Sequence, residues 1–105
     1  MKTKYLHLRA LDTNAAVITV LPKGGMTVAY VVDDNKMVSG FAMAKCHSND
    51  TYNKYFGRVK STGRLKSPSY FTETHMEEQQ FIQRMHDFWK DEQEIIPDLL
   101  TPGNV

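Results

Sequence analysis

The chain has 105 residues, 41% apolar and 24% charged, with a formal net charge of +1 and one cysteine. That length suits one domain, the composition is globular rather than disordered, and a single cysteine excludes an intrachain disulfide framework. With no signal pattern at Met1-Lys2-Thr3-Lys4 and no apolar run near membrane-spanning length, the expected setting is a reducing cytoplasm.

Taken in chain order, the first half reads as strands. Tyr5-Leu6-His7-Leu8-Arg9 alternates, with Leu6 and Leu8 on one face and Tyr5, His7 and Arg9 on the other. Asp12-Thr13-Asn14 is a turn cluster, residues 16–21 a β-branched strand, and Pro22-Lys23-Gly24-Gly25 a break. Residues 27–32 form a third strand, Asp33-Asp34-Asn35-Lys36 a hairpin turn, and residues 37–47 a fourth strand. On that strand Ala42, Ala44 and Cys46 share a face on which another backbone can approach closely. Phe41, Met43 and Lys45 share the opposite one.

The second half reads as helices. Ser48-Asn49 offers an N-cap, Asp50 suits the first turn, and Tyr52, Tyr55, Phe56 and Val59 form one apolar face. Gly63 is placed to end this helix. Thr74-His75-Met76-Glu77 has capping-box spacing. A wide apolar stripe of Phe81, Ile82, Met85, Phe88, Trp89, Ile95 and Ile96 follows, interrupted by Glu92 and ended by Pro97. The expected fold is a single α+β domain over 1–105. An antiparallel β-meander of four to five strands (1–47) precedes two α-helices, 48–64 and a longer 74–96.

Charge is placed unevenly along this plan. Residues 1–47 carry +3, residues 48–66 carry +4 with Asp50 as the lone acid, and residues 67–105 carry −6. A short basic segment in a near-neutral chain points to a localised anion site more than to a general nucleic-acid surface, and a solvated face explains it equally well.

Catalytic constellations are weak. Cys46 and His47 are adjacent on a strand and point to opposite faces, so they cannot form a nucleophile–base dyad. The four histidines lack zinc-ligand spacing, and Gly24-Gly25 lacks the rest of a phosphate loop. The chain reads as a binding protein, not an enzyme, with no cofactor and no metal. Residues 44–64 hold the candidate site. There a helix N-terminus follows a strand, Gly57 leaves room for a ligand or for packing on the sheet, Arg58 and Arg64 suit phosphate oxygens, and Asn53 suits a base edge or ribose.

The run Ala44-x-Cys46-x3-Asp50-x-Tyr52-x-Lys54-x2-Gly57-Arg58-x4-Gly63-Arg64 resembles the first type of anti-Thoeris phage proteins, sponges that sequester cyclic ADP-ribose-type immune signals. The motif covers 21 of the 105 residues, and the order of sheet, short helix and longer helix is similar over most of the chain. The resemblance implies a phage-encoded homo-oligomer in the cytoplasm of an infected bacterium, binding a cyclic nucleotide without cleaving it. It places Met43 against a base, Asn53 as the polar helix residue, and Arg58 and Arg64 at phosphates. Met43 stands where an aromatic is expected, with Phe41 two residues away, and Tyr52 stands where phenylalanine is expected, so the expected ligand-binding set is Phe41, Met43, Tyr52, Asn53, Arg58 and Arg64. Two other readings compete: an inhibitor of a host protein working through the acidic second helix, with Phe88 and Trp89 as anchors, and a nucleic-acid module using the basic first helix.

Overall fold

The computed structural model describes residues 1–12 and 19–100, and the side chains among them except at 12, 19 and 93–100. In chain order the elements are β1 (Lys2–Leu8), β2 (Leu11–Asp12), β3 (Thr19–Val20), β4 (Met26–Val32), β5 (Met37–Lys45), α1 (Lys54–Leu65), β6 (Thr72–Glu77) and α2 (Glu78–Leu100). The fold is α+β. Four antiparallel strands form a sheet in the order β1-β4-β5-β6, and β2 and β3 pair separately.

The two helices cover opposite faces of this sheet. Leu8, Met26, Val28, Tyr30 and Val32 form the core with Phe81 and Trp89 of α2. Side chains alternate along a strand, so Tyr5, His7, Thr27 and Ala29 point the other way, toward α1. The Tyr5 hydroxyl lies 2.7 Å from the Thr62 hydroxyl, and Ala44 lines the same space as Gly57. A bulge shapes β5: Val32 pairs with Val38 and Val31 with Gly40, leaving Ser39 unmatched. It returns Val38 to the core face and sets Gly40 beneath the Phe71 ring, where a Cβ would penetrate the ring.

Several sequence expectations need correction. The first helix starts at Lys54 with Asn53 as N-cap, not at Ser48-Asn49, and it runs past Gly63 to Leu65 with Lys66 as C-cap. The delay is imposed by backbone bonds that hold residues 50–52 against residues 22–24: Gly24 N–H donates to Asp50 at 3.0 Å and Tyr52 N–H to Pro22 at 2.9 Å. Residues 72–77 are a strand on the sheet edge, so Thr74 is not a helix cap. An open β5 edge accepts this segment, and α2 begins at Glu78. The last strand of the sheet therefore lies between the helices, outside the expected 1–47. Pro97 does not end α2, which continues to Leu100, as a proline deletes one helical bond without forbidding the next turn. The expected turn at 12–14 and strand at 16–21 fall mostly, and the side chains of Ile95 and Ile96 fall wholly, outside the described residues.

Helix α2 resolves two further points. Trp89 is 6% exposed and its indole N–H donates to the Arg9 carbonyl at 2.9 Å, so it belongs to the core and cannot anchor a partner. Glu92 lies 3.8 Å from Lys45 Nζ in a half-exposed ion pair. Glu78, the first helical residue, accepts from Lys4 Nζ at 2.9 Å and from the buried Tyr30 hydroxyl at 3.0 Å. Lys4 foremost, and the Tyr30 bond with it, hold the Glu78 carboxyl below its ordinary range, while burial and that carboxylate push Tyr30 up to about 12. No described helix is long and apolar enough to cross a membrane.

Candidate functional site

Helix α1 sits on the sheet by its small residues. Ser61 is fully buried and its hydroxyl donates to Gly57 O at 2.7 Å. A Cβ at Gly57 would overlap the Thr27 hydroxyl and reach 2.9 Å from Thr27 Cβ. The glycine is therefore a packing requirement: α1 and β4 come too close for any side chain. The expected apolar face turns outward as a consequence, leaving Tyr55 63%, Phe56 62% and Val59 52% exposed.

Tyr52, just ahead of the helix, goes inward. Its hydroxyl lies 2.8 Å from His7 Nδ1 and 3.0 Å from Thr27 Oγ1, and Nδ1 lies 3.1 Å from Thr27 Oγ1. A consistent arrangement has the Tyr52 hydroxyl donate to Nδ1 and the Thr27 hydroxyl donate to the phenolic oxygen. Arg9 stacks over the Tyr52 ring at 4.5 Å. Burial raises the Tyr52 pKa, and burial, then Lys54 and Arg58, lower that of His7, so both groups stay neutral near pH 7. This network locks the tyrosine into place beneath the helix start.

Residues 46–53 then complete a cleft. Gly24 and Gly25, at φ of 77° and 106°, turn the chain so that Gly25 O accepts from Cys46 N–H at 2.8 Å. The cleft between residues 46–53, the end of β5 and the first turns of α1 holds about 520 Å³, and Lys45, His47, Tyr52, Asn53, Phe56 and Lys60 are among its walls. Asn53 Oδ1 accepts from Phe56 N–H at 3.1 Å, which caps the helix and leaves the side-chain NH2 free to donate. The helix end and Lys60 supply positive potential, the Lys45 ammonium being paired with Glu92, and two rings supply apolar walls.

The six residues expected to bind ligand are not brought into one place. Tyr52 and Asn53 line the cleft. Arg58 lies on the opposite flank of α1, in a groove with Tyr5 and Tyr55. Arg64 donates to Met43 O at 2.9 Å and stacks on Tyr70 at 4.6 Å, which fixes the C-terminal end of α1 to β5. Phe41 and Met43 pack through the sheet against the core, Phe41 5.1 Å from Phe81. The cleft instead draws on Lys45, His47, Phe56 and Lys60. Lys60 and Phe56 belong to the basic aromatic helix, but helical period alone does not say that this face turns outward to the cleft.

The Cys46 thiol donates to Asp50 O at 3.4 Å while His47 Nδ1 accepts from Asn49 N–H at 3.1 Å, so the two side chains engage different partners. Among the described residues no group of three or more His, Cys, Asp or Glu could hold a metal. A second, more apolar cavity of about 380 Å³ lies beyond Cys46, between Leu21, Pro22 and Trp89. No protein-family model, curated protein or solved structure matches the chain.

Proposed function

We propose that the protein is a phage-encoded anti-defence protein that binds and sequesters a cyclic nucleotide immune signal in the cleft at the start of α1 without cleaving it. The ligand class is a cyclic ADP-ribose isomer, with cyclic oligonucleotides as an extension, and the protein acts as a homo-oligomer in the cytoplasm of the infected bacterium. The observation that carries this reading is the cleft itself. Its volume of about 520 Å³ lies within the range of about 300–1,000 Å³ typical of small-molecule sites. Phe56 offers a base an apolar wall, the Asn53 amide offers a donor, and Lys60 stands ready for a phosphate, while the Lys45 ammonium is paired with Glu92. The resemblance of residues 44–64 to the anti-Thoeris sponges points to the same ligand class.

The binding pose differs from the one the resemblance implies. Phe41 and Met43 lie behind the sheet, so Phe56 takes the stacking role and Lys60 the phosphate role that Met43 and Arg58 were expected to fill. Isothermal titration against a panel of cyclic ADP-ribose isomers and cyclic di- and trinucleotides tests the proposal. Tight binding of one member by the wild type, weakened at least tenfold in Lys60→Ala and Phe56→Ala, supports it. Absence of heat across the panel removes it.

A further inference from the structure

The outward face of α1 has two flanks, and only one borders the cleft. The other, facing β1, carries Lys54, Arg58, Thr62 and Lys66 at four-residue intervals, which places them along one line of the helix. Beside that line lies a shallow groove of about 470 Å³ lined by Tyr5, Tyr55, Arg58, Val59 and Thr62. Tyr5 is fixed there by its 2.7 Å contact with Thr62, and Tyr55 stands edge-on to Phe56 at 5.8 Å. Among the described residues no ion pair involves Lys54, Arg58 or Lys66. Like charges at i and i+4 oppose helix formation, and α1 has no acid of its own to offset Lys54 and Arg58. Their unneutralised field reaches His7, whose pKa both depress after burial.

We propose that this flank of α1 docks single-stranded nucleic acid, with Tyr5 and Tyr55 as platforms for bases and Lys54, Arg58 and Lys66 as contacts for phosphates. Cations beside the exposed Tyr55 ring and the half-buried Tyr5 ring are what a flexible strand with free base faces needs, whereas a duplex hides those faces. The helix spans about 18 Å from its 12 residues, enough for several phosphates. The near-neutral charge of the whole chain is no obstacle. The sheet separates α1 from α2, so the acids of α2 lie on the far face and do not cancel the basic flank. Two phenol rings and one valine offer too little apolar area to bury a helix in a bilayer.

The test uses the intact chain and a fluorescein-labelled twelve-nucleotide oligouridylate, followed by anisotropy between 50 and 200 mM salt. The wild type should bind, and an unlabelled duplex of equal length should compete poorly. Tyr55→Ala should weaken binding by about fivefold or more, the lower range for one base–ring stack. Arg58→Ala should flatten the log–log salt slope by about 0.7, one phosphate contact on a single strand. Lys60→Ala, on the cleft side, should change affinity less than twofold, and its expected loss of cyclic nucleotide binding keeps the two sites distinguishable. No anisotropy change at 50 mM salt overturns the proposal, as does unaltered binding by Tyr55→Ala and Arg58→Ala. So does a fall in light-scattering mass on Tyr55→Ala, which assigns the flank to a second copy, or binding to anionic vesicles without binding to the oligonucleotide.

Discussion

Gly57→Ala separates packing from propensity, because the two act in opposite directions at this position. In a solvent-exposed helix interior the substitution stabilises by about 1 kcal/mol. At Gly57 the new methyl overlaps the hydroxyl of Thr27, a residue with no exposed surface. Thr27 cannot turn away without leaving its contacts to His7 and Tyr52 at 3.1 and 3.0 Å. Overpacking of this kind costs about 1–3 kcal/mol, and each hydrogen bond disturbed adds about 1 kcal/mol. With one or both bonds disturbed and the propensity gain subtracted, the net expectation is a loss of about 1–4 kcal/mol, seen as a fall in Tm of at least about 4 °C, since 1 kcal/mol corresponds to about 4–8 °C in a domain of this size. Gly63→Ala is the internal control: nothing lies within 4 Å of its added Cβ, so it should stabilise by up to about 1 kcal/mol. Urea and thermal unfolding followed by far-UV circular dichroism measure both. If Gly57→Ala is as stable as the wild type, α1 does not sit on β4 through this glycine, and the outward placement of Tyr55, Phe56 and Val59 loses its cause.

Other perturbations test the remaining contacts. Asn53→Ala removes the cap of α1 and should cost about 0.5–2 kcal/mol in urea unfolding, with weaker ligand capture in the cleft. Glu78 has a folded pKa below the ordinary 4.5, so its stabilising contribution is complete above that value and disappears as pH falls through the lower folded value. Stability against pH in Glu78→Gln should therefore lack this acid arm, and an unchanged arm would mean that Lys4 and Tyr30 do not hold the carboxylate. His7 behaves in the other chemical sense. Its folded pKa lies below 6.5, so the unfolded chain takes up the proton first and the wild type loses stability as pH falls through and below 6.5. His7→Gln should flatten that slope, and a slope that persists would place the titrating group elsewhere.

Strand content was legible because β-branched runs and turn clusters are local signals. The two faces of β1 and the small-residue face of β5 followed from alternation alone, and Ala42 and Ala44 do lie buried on the face toward α1. What alternation cannot supply is tertiary preference. Residues 72–77 have helix-start spacing, yet an open strand edge on β5 claims them. The stripe of Tyr55, Phe56 and Val59 has helical period, and period fixes a face without saying which way it turns. Gly57 and Ser61 decide that, because only small residues permit the approach to Thr27. The same inversion explains the site. Tyr52 and Asn53 were legible as the helix entry, but Phe56 and Lys60 reach the cleft only once the helix is rotated, and Phe41 and Met43 sit on the wrong side of the sheet to join them.

Capture and release of ligand by the intact protein shows whether the cleft holds a nucleotide and leaves it whole. The protein is incubated with lysate from infected, signal-producing cells, filtered free of unbound solute, heated, and the released material identified by mass spectrometry. The expected result is an intact cyclic nucleotide from the wild type and markedly less from a Lys60→Ala, Phe56→Ala double variant of equal stability. Recovery of cleaved nucleotide, or of equal amounts of the intact one from both proteins, would contradict capture in the cleft at the start of α1.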